Sequence, residues 1–288
     1  MSASRRPEQT GVLITGASSG IGKACAEHLA RRGYLVYGTS RNAPFPPTPP
    51  GPGQPVLIQM DVTQDDSVRR AVDLAVRELG RLDVVVNNAG FAIAGAVEDT
   101  SIEEAKSQLE TNFFGVLRVC RAVLLVMRSQ GEGLIVNIGS LGGVMALPFQ
   151  ALYSASKFAV AGLTEALRLE VRPLGIRVTR IEPGDMRTGI TDRRVRVAGW
   201  TQGSPYGQCA ERVLRIVERD ERRGGPAEAV ALLLERIIRS PDPAPCYRVG
   251  PALERLGAAL KAILPARLFE WALGRYYSVP GTKRKVRL

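Results

Sequence analysis

GVLITGASSGIG, residues 11–22, decides how this chain folds. GVLIT is an apolar run of the length of a buried strand. Gly16, Gly20 and Gly22 follow as a turn, and helical spacing continues over roughly residues 20–32. A strand running through a glycine turn into a helix brings bare backbone N–H groups and the positive helix end together. That arrangement suits the pyrophosphate of a nucleotide.

The alternation continues outward. YLVYGTS (34–40) and PVLIQMD (55–61) read as the second and third strands, and LDVVVNNAG (82–90) as the fourth with its exit loop. Residues 134–139 and IRVTRIEP (176–183) read as the fifth and sixth, and CYRVG as a short seventh. Helical periodicity fills the intervals, in QDDSVRRAVDLAVREL, NFFGVLRVCRAVLLVMRSQ and ALYSASKFAVAGLTEALRLEVR. Apolar runs separated by helices predict a parallel sheet covered on both faces. The class is α/β, doubly wound, in a single domain with about seven strands. Ligands of such sheets bind at the C-terminal ends of the strands.

The domain is expected over residues 11–250, after a polar N-terminal tail at 1–10. Two stretches break the rhythm. APFPPTPPGPGQP (43–55) has seven prolines and reads as a stiff loop between strands two and three. Residues from about 186 to 225 begin with weak periodicity and several glycines, as expected of a lid over the substrate. Residues 251–288 form a helical extension with a basic tail, Lys283, Arg284, Lys285 and Arg287. The extension is expected to cap the substrate pocket, to pack on a second subunit or to touch a membrane surface, in that order.

Bulk properties narrow the function. The chain of 288 residues is 45% hydrophobic and 23% charged, an ordinary globular balance. The formal charge of +11 rests on arginines scattered along helices, with no zinc-finger, helix-turn-helix or RNA-binding signature. Nucleic acid is not expected as a partner. Cys25, Cys120, Cys209 and Cys246 form no CxxC pair, so neither a zinc site nor a disulfide framework is indicated. His28 is the single histidine, and without a GxSxG elbow it argues against a Ser-His-Asp triad. The polar N-terminus lacks the apolar centre of a signal peptide, and a cytoplasmic location is expected.

Tyr153 and Lys157 stand four apart on a predicted helix and share one face. A free tyrosine, with a pKa near ~10, is a poor acid or base at neutral pH. A neighbouring ammonium favours the phenolate and is expected to lower that value. Ser140 ends the apolar run GLIVNIGS, where its hydroxyl can meet the same space. Neutral donors of this kind suit an oxygen that gains negative charge in the transition state.

The end of the second strand speaks to the cofactor. NAD binders carry Asp or Glu there to hold the ribose hydroxyls. Here GTSRN has no acid at 36–42, and Arg41 stands where a guanidinium can hold a 2′-phosphate, with Ser18 adding a hydroxyl. NADP(H) is therefore expected ahead of NAD(H).

TGASSGIG, Asp61, NNAG (87–90), Asn112, Ser140, Tyr153-x-x-x-Lys157 and Pro183-Gly184 together resemble the short-chain dehydrogenase/reductase family. The resemblance covers residues 11 to about 188 in order. It implies a Rossmann enzyme using NAD(H) or NADP(H), with Tyr153 as general acid/base and Lys157 as its partner on the nicotinamide ribose. It implies that Ser140 polarises the substrate oxygen and that Asn112 positions a water in the proton relay. The turn residues Gly16, Ser18, Ser19, Gly20, Ile21 and Gly22 would hold the cofactor. Asp61 and Val62 would meet the adenine, and Asn88, Ala89 and Gly90 would line the cofactor. Thr188 would meet the carboxamide after Pro183 and Gly184.

GTSR, EPGDMRT and the long C-terminal region look like the branch with hydroxysteroid and retinol dehydrogenases. That resemblance implies an apolar ketone or aldehyde and its alcohol as substrate pair, of lipid, steroid or retinoid type. A 3-oxoacyl reductase is the alternative, against which the long extension argues. A non-catalytic NADP-sensing or scaffold protein would not need Ser140, Tyr153 and Lys157 together. A homodimer or homotetramer is expected.

Overall fold

The order of elements is β1 (Gly11–Ile14), α1 (Gly20–Arg31), β2 (Leu35–Ser40), β3 (Val56–Gln59), α2 (Asp65–Leu79) and β4 (Val84–Asn87). A two-residue β5 (Ile93–Ala94) precedes α3 (Ile102–Leu109), a π-helical turn (Glu110–Phe114) and α4 (Gly115–Gln130). Then come β6 (Gly133–Ile138), α5 (Ala151–Val171) and β7 (Ile176–Pro183). The short β8 (Met186–Arg187) and β9 (Val195–Arg196) lead to α6 (Gly207–Arg223), β10 (Gly225–Pro226), α7 (Glu228–Arg239) and β11 (Cys246–Val249). The chain closes with α8 (Ala252–Leu260) and α9 (Ala266–Tyr276). This computed structural model describes residues 6–44, 47, 50–200 and 203–281. The basic tail, residues 1–5, parts of the proline-rich loop and residues 201–202 lie outside the described residues.

The sheet has seven strands in the order β11-β7-β6-β4-β1-β2-β3, and every neighbouring pair is parallel. Burial explains why its strands read as unbroken apolar runs. β1, β4 and β6 are buried at every position. Side chains alternate across the sheet. Leu13, Val85 and Ile135 face one core with α2, α4 and α5. Val12, Ile14, Val84, Val86, Leu134 and Val136 face the other with α1 and α7. The chain order reverses between β1 and β4, which opens a crevice at their C-terminal ends.

Polar residues lock the layers. Asn87 Nδ2 donates to Asn137 Oδ1 (2.8 Å), and Asn137 Nδ2 donates to Thr164 Oγ1 on α5 (2.9 Å). This chain ties two adjacent strands to the helix that carries Tyr153 and Lys157. His28 and Arg32 on α1 meet Glu235 on α7 at 2.7 and 3.1 Å, so the lone histidine pins helix to helix. Pro7–Gln9 of the polar start form a 3-10 turn. The expected lid is tied down at several points: β9 pairs with β5, the Ala198 N–H donates to Glu104 at 2.7 Å, and Ser204 Oγ donates to Asp99 at 2.6 Å.

Candidate active site

The crevice opens into a cavity of about 970 Å³. Its floor is the glycine turn. Gly16 adopts φ +67°, and a Cβ there would stand 2.9 Å from the Cα of Ala89. Only glycine accepts both the left-handed backbone and this approach. Thr15 holds the facing loop: its Oγ1 accepts from the N–H groups of Asn88 and Ala89 at 2.9 and 3.0 Å. Asn88 Nδ2 returns a bond to the Thr15 carbonyl at 2.9 Å. Ser19 is the N-cap of α1, yet its side chain makes no capping bond. The first N–H groups of α1 are thus left for an anion. These features fit a dinucleotide pyrophosphate.

α5 supplies the reacting side chains. Val160, Thr164, Leu167 and Val171 are its buried stripe, and Pro173 lies in the 3-10 turn that ends it. Near its start, Tyr153 and Lys157 face the cavity, with the Lys157 Nζ 5.9 Å from the Tyr153 ring centroid. Nζ donates to the carbonyl of Ile138 at 2.9 Å, at the end of β6. Ser140 caps the next turn, its Oγ accepting from the Gly142 N–H at 2.9 Å. The same hydroxyl hydrogen-bonds the Tyr153 phenol.

The expected lowering of the phenol pKa is corrected here. Burial raises it, and the Ser140 bond and the Arg194 charge oppose that rise without overcoming it. Burial also pushes the Lys157 ammonium down to about 8. Both groups sit where water is scarce, and desolvation sets the direction of each shift.

Every residue proposed from the sequence for the site lines this cavity except Gly22 and Asn112. Gly22 lies behind the turn, beside Gly16 and Asn88. Asn112 occupies the π-helical turn, and its side chain is committed elsewhere. Its Oδ1 accepts from the Phe91 N–H, and its Nδ2 donates to the Phe91 carbonyl and to Ser156 Oγ, each at 3.0 Å. The side chain thus fixes the cavity wall. Arg41 is exposed at the end of β2 and lines the rim. Asp61 Oδ1 accepts from the N–H and hydroxyl of Thr63 at 2.9 and 2.8 Å.

Sequence reasoning missed several lining residues. Arg193 bonds the Ser19 hydroxyl over the glycine turn. Arg194 is ion-paired with Glu221. Glu254, from α8, accepts from the Asp185 N–H at 2.7 Å. A Cβ on Gly184 would fall 2.1 Å from the Glu254 carboxylate, so the bare backbone lets Glu254 approach in this position. The doublet in DRRVR was the one signal for the arginines; nothing local marked Glu254.

Burial and the carboxylates of Glu254, Glu221 and Asp220 push the Asp185 carboxyl up to about 8. An unfolded aspartate titrates near ~3.9. Below that value both states hold the proton and stability is unaffected. Between pH ~4 and ~8 only the folded chain holds it, so stability falls as pH rises through that window. Asp185→Asn removes this titration. Scanning calorimetry is expected to show Tm above wild type at pH 8 by about 10 °C or more, since roughly four pH units correspond to about 5 kcal/mol and Tm moves about 2–4 °C per kcal/mol. Near pH 4 the two should coincide. A gap independent of pH would contradict the raised carboxyl.

Comparison with known proteins agrees with this geometry. The family described as short chain dehydrogenase matches residues 10–197. A Bacteroides thetaiotaomicron protein named 3-ketodihydrosphingosine reductase is 43% identical over 268 residues, covering 93% of this chain and 98% of that protein. An Ornithobacterium rhinotracheale protein named NADPH-dependent 3-dehydrocapnine reductase is 31% identical over 268 residues, covering 90% and 94%. A short-chain dehydrogenase structure from Streptomyces avermitilis superposes with a TM-score of 0.75 at 30% identity, covering 91% of this chain and 96% of that one. With its parallel seven-stranded sheet and its glycine turn at the crevice, the chain belongs to the short-chain dehydrogenase/reductase family, as an oxidoreductase acting on carbonyl and alcohol groups.

Proposed function

We propose that this enzyme reduces the ketone of a long-chain lipid with NADPH. The observation that carries the reading is the roof of the cavity. Ser140, Tyr153 and Lys157 open beneath Leu260, Leu264, Phe269 and Leu273 of the C-terminal helices and their link. An apolar wall of this kind suits an alkyl chain beside the reacting carbon. The names of the Bacteroides and Ornithobacterium relatives support a lipid ketone.

The roles follow from placement. The α1 N-terminus, Ser18 and Ser19 hold the pyrophosphate, and Arg41 takes the 2′-phosphate. Asp61 and Val62 face the adenine, and Thr188 faces the carboxamide. When bound, the cofactor supplies a hydride to the carbonyl carbon. Ser140 holds the substrate oxygen, and Tyr153 gives that oxygen its proton. Lys157 lies one helical turn on and fixes the ribose. Asn112 steadies the wall of this relay. A phenol that holds its proton at neutral pH is in the form that donation to the substrate oxygen needs.

Outside the cavity, α8, α9 and their link expose Leu256, Ile263, Leu268 and Trp271. This face suits contact with a membrane surface, from which a lipid would enter. No described helix is long and apolar enough to cross a membrane. Phe114, Leu125, Phe158 and Leu169 are exposed on the other side of the molecule's helical layer and suit a second copy of the chain.

The test follows NADPH absorbance with a long-chain 3-keto amino lipid and with a short 3-oxoacyl thioester. The lipid ketone is expected to give the higher kcat/KM by at least about tenfold. Faster turnover of the thioester would shift the assignment to a 3-oxoacyl reductase.

A further inference from the structure

Beside the reacting groups the cavity carries polar side chains that the reduction of a plain ketone does not use. Asp185 follows Gly184 at the exit of β7, and Glu254 reaches it from α8. Gly184 also lies against Leu141, the neighbour of Ser140, and Asp185 and Glu254 line the same cavity as Ser140 and Tyr153. Glu221 lies behind it on α6, held by Thr191 Oγ1 at 2.7 Å and by Arg194. Among the described residues, no group of three or more His, Cys, Asp and Glu side chains is arranged to hold a metal ion.

A second observation is independent of these carboxylates. Arg194 is 3% exposed along its side chain, lines the same cavity, and leaves Nε and Nη1 without a hydrogen-bond partner. Gln150 is 3% exposed, stands one turn before Tyr153 and leaves its Nε2 unpartnered. Buried donors without partners are costly, and they mark a place where a ligand acceptor belongs. The cavity thus offers both carboxyl acceptors and unpartnered donors. A plain alkyl ketone could use neither set.

Resting on the lipid-ketone reading, we propose that Asp185 and Glu254 bind an ammonium on the carbon beside the substrate ketone, while Arg194 and Gln150 donate to an oxygen at the end of that head group. The acidic pair accepts N–H bonds from a cation, and the arginine and amide supply what a hydroxyl or acid oxygen needs. The substrate class is therefore a 2-amino-3-oxo lipid. The C-terminal extension brings Glu254 to this point, so it contributes to head-group recognition as well as to the apolar roof.

Around Asp185 stand Glu254 of α8, Glu221 and Asp220 of α6, Tyr277 after α9, Arg194 of the lid and Tyr153 of α5. Burial first, and then the carboxylates of Glu254, Glu221 and Asp220, keep the proton on Asp185 at neutral pH. An arriving ammonium would displace that proton into solvent. Binding should then release up to about one proton at pH 7.

The experiment is calorimetric titration with reduced nicotinamide cofactor present. The ligands are a twelve-carbon 2-amino-1,3-diol and the matching 1,3-diol without the amine. Wild type should bind the amine more tightly by about ten- to a hundredfold. In two buffers of different ionisation heat it should release protons only with the amine. Glu254→Gln and, separately, Asp185→Asn should bring the two affinities within about threefold of each other. Equal affinity of wild type for both diols would overturn the proposal. So would an amine preference that survives both folded variants. An intact preference in a protein that fails to reduce the lipid ketone would refute the reaction assigned above while upholding the ammonium site.

Discussion

Tyr153→Phe is expected to lose at least about 10²–10⁴-fold in kcat while keeping its affinity for NADPH. The ring fills the same space against the Ser140 turn, and only the hydroxyl is removed. The cofactor-binding turn lies on the far side of the sheet crevice, on α1, and makes no use of that oxygen. Ser140 retains its bond from the Gly142 N–H, so its own position should hold. Stopped-flow or steady-state NADPH oxidation gives kcat, and fluorescence titration gives the cofactor Kd. Folded variant protein with more than a tenth of wild-type turnover would remove Tyr153 as the proton donor. Loss of cofactor binding along with turnover would point to a structural role for the phenol.

The sheet was legible because a parallel sheet buries both faces, and such strands must be apolar throughout. β7 begins and ends where IRVTRIEP does. The glycine turn was legible because backbone geometry at Gly16 admits no other residue. Tyr153 and Lys157 were legible because a helix repeats their face every turn. Their electrostatics were not. The expectation of a lowered phenol followed from one neighbour, the lysine, whereas burial of both groups sets the observed direction.

Other parts of the site were hidden for a different reason. Asp185 and Glu254 are separated by 69 positions and meet only because α8 folds back over the end of β7. Arg194 looked like one more arginine in a basic chain. Its significance lies in a side chain that is buried with donors unpaired, and sequence carries no mark of burial for a charged residue in a loop. Asn112 was recognised as a motif residue, but its partners Phe91 and Ser156 lie 21 and 44 positions away.

Arg41→Asp is expected to reverse cofactor preference. In wild type the kcat/KM ratio should favour NADPH over NADH by about ten- to a hundredfold, the equivalent of one charge-assisted bond of roughly 1.5–3 kcal/mol. Arg41 ends β2 on the rim of the cavity, and its backbone is fixed by a bond from Gln59 Nε2 to its carbonyl at 3.2 Å. The substitution therefore changes the side chain on a held backbone. A carboxylate there repels the 2′-phosphate and accepts from the ribose hydroxyls of NADH instead. Arg41 is exposed, so fold stability should change little. Its attraction for the phosphate should also weaken with added salt, because an exposed pair is screened over about 8–10 Å at ordinary ionic strength. Measuring both cofactors in both proteins at low and high salt separates the possibilities. Equal use of NADH and NADPH by wild type would reduce Arg41 to a surface charge, and the phosphate would then have to be read by Ser18 or Arg193, whose guanidinium already spans the glycine turn to Ser19.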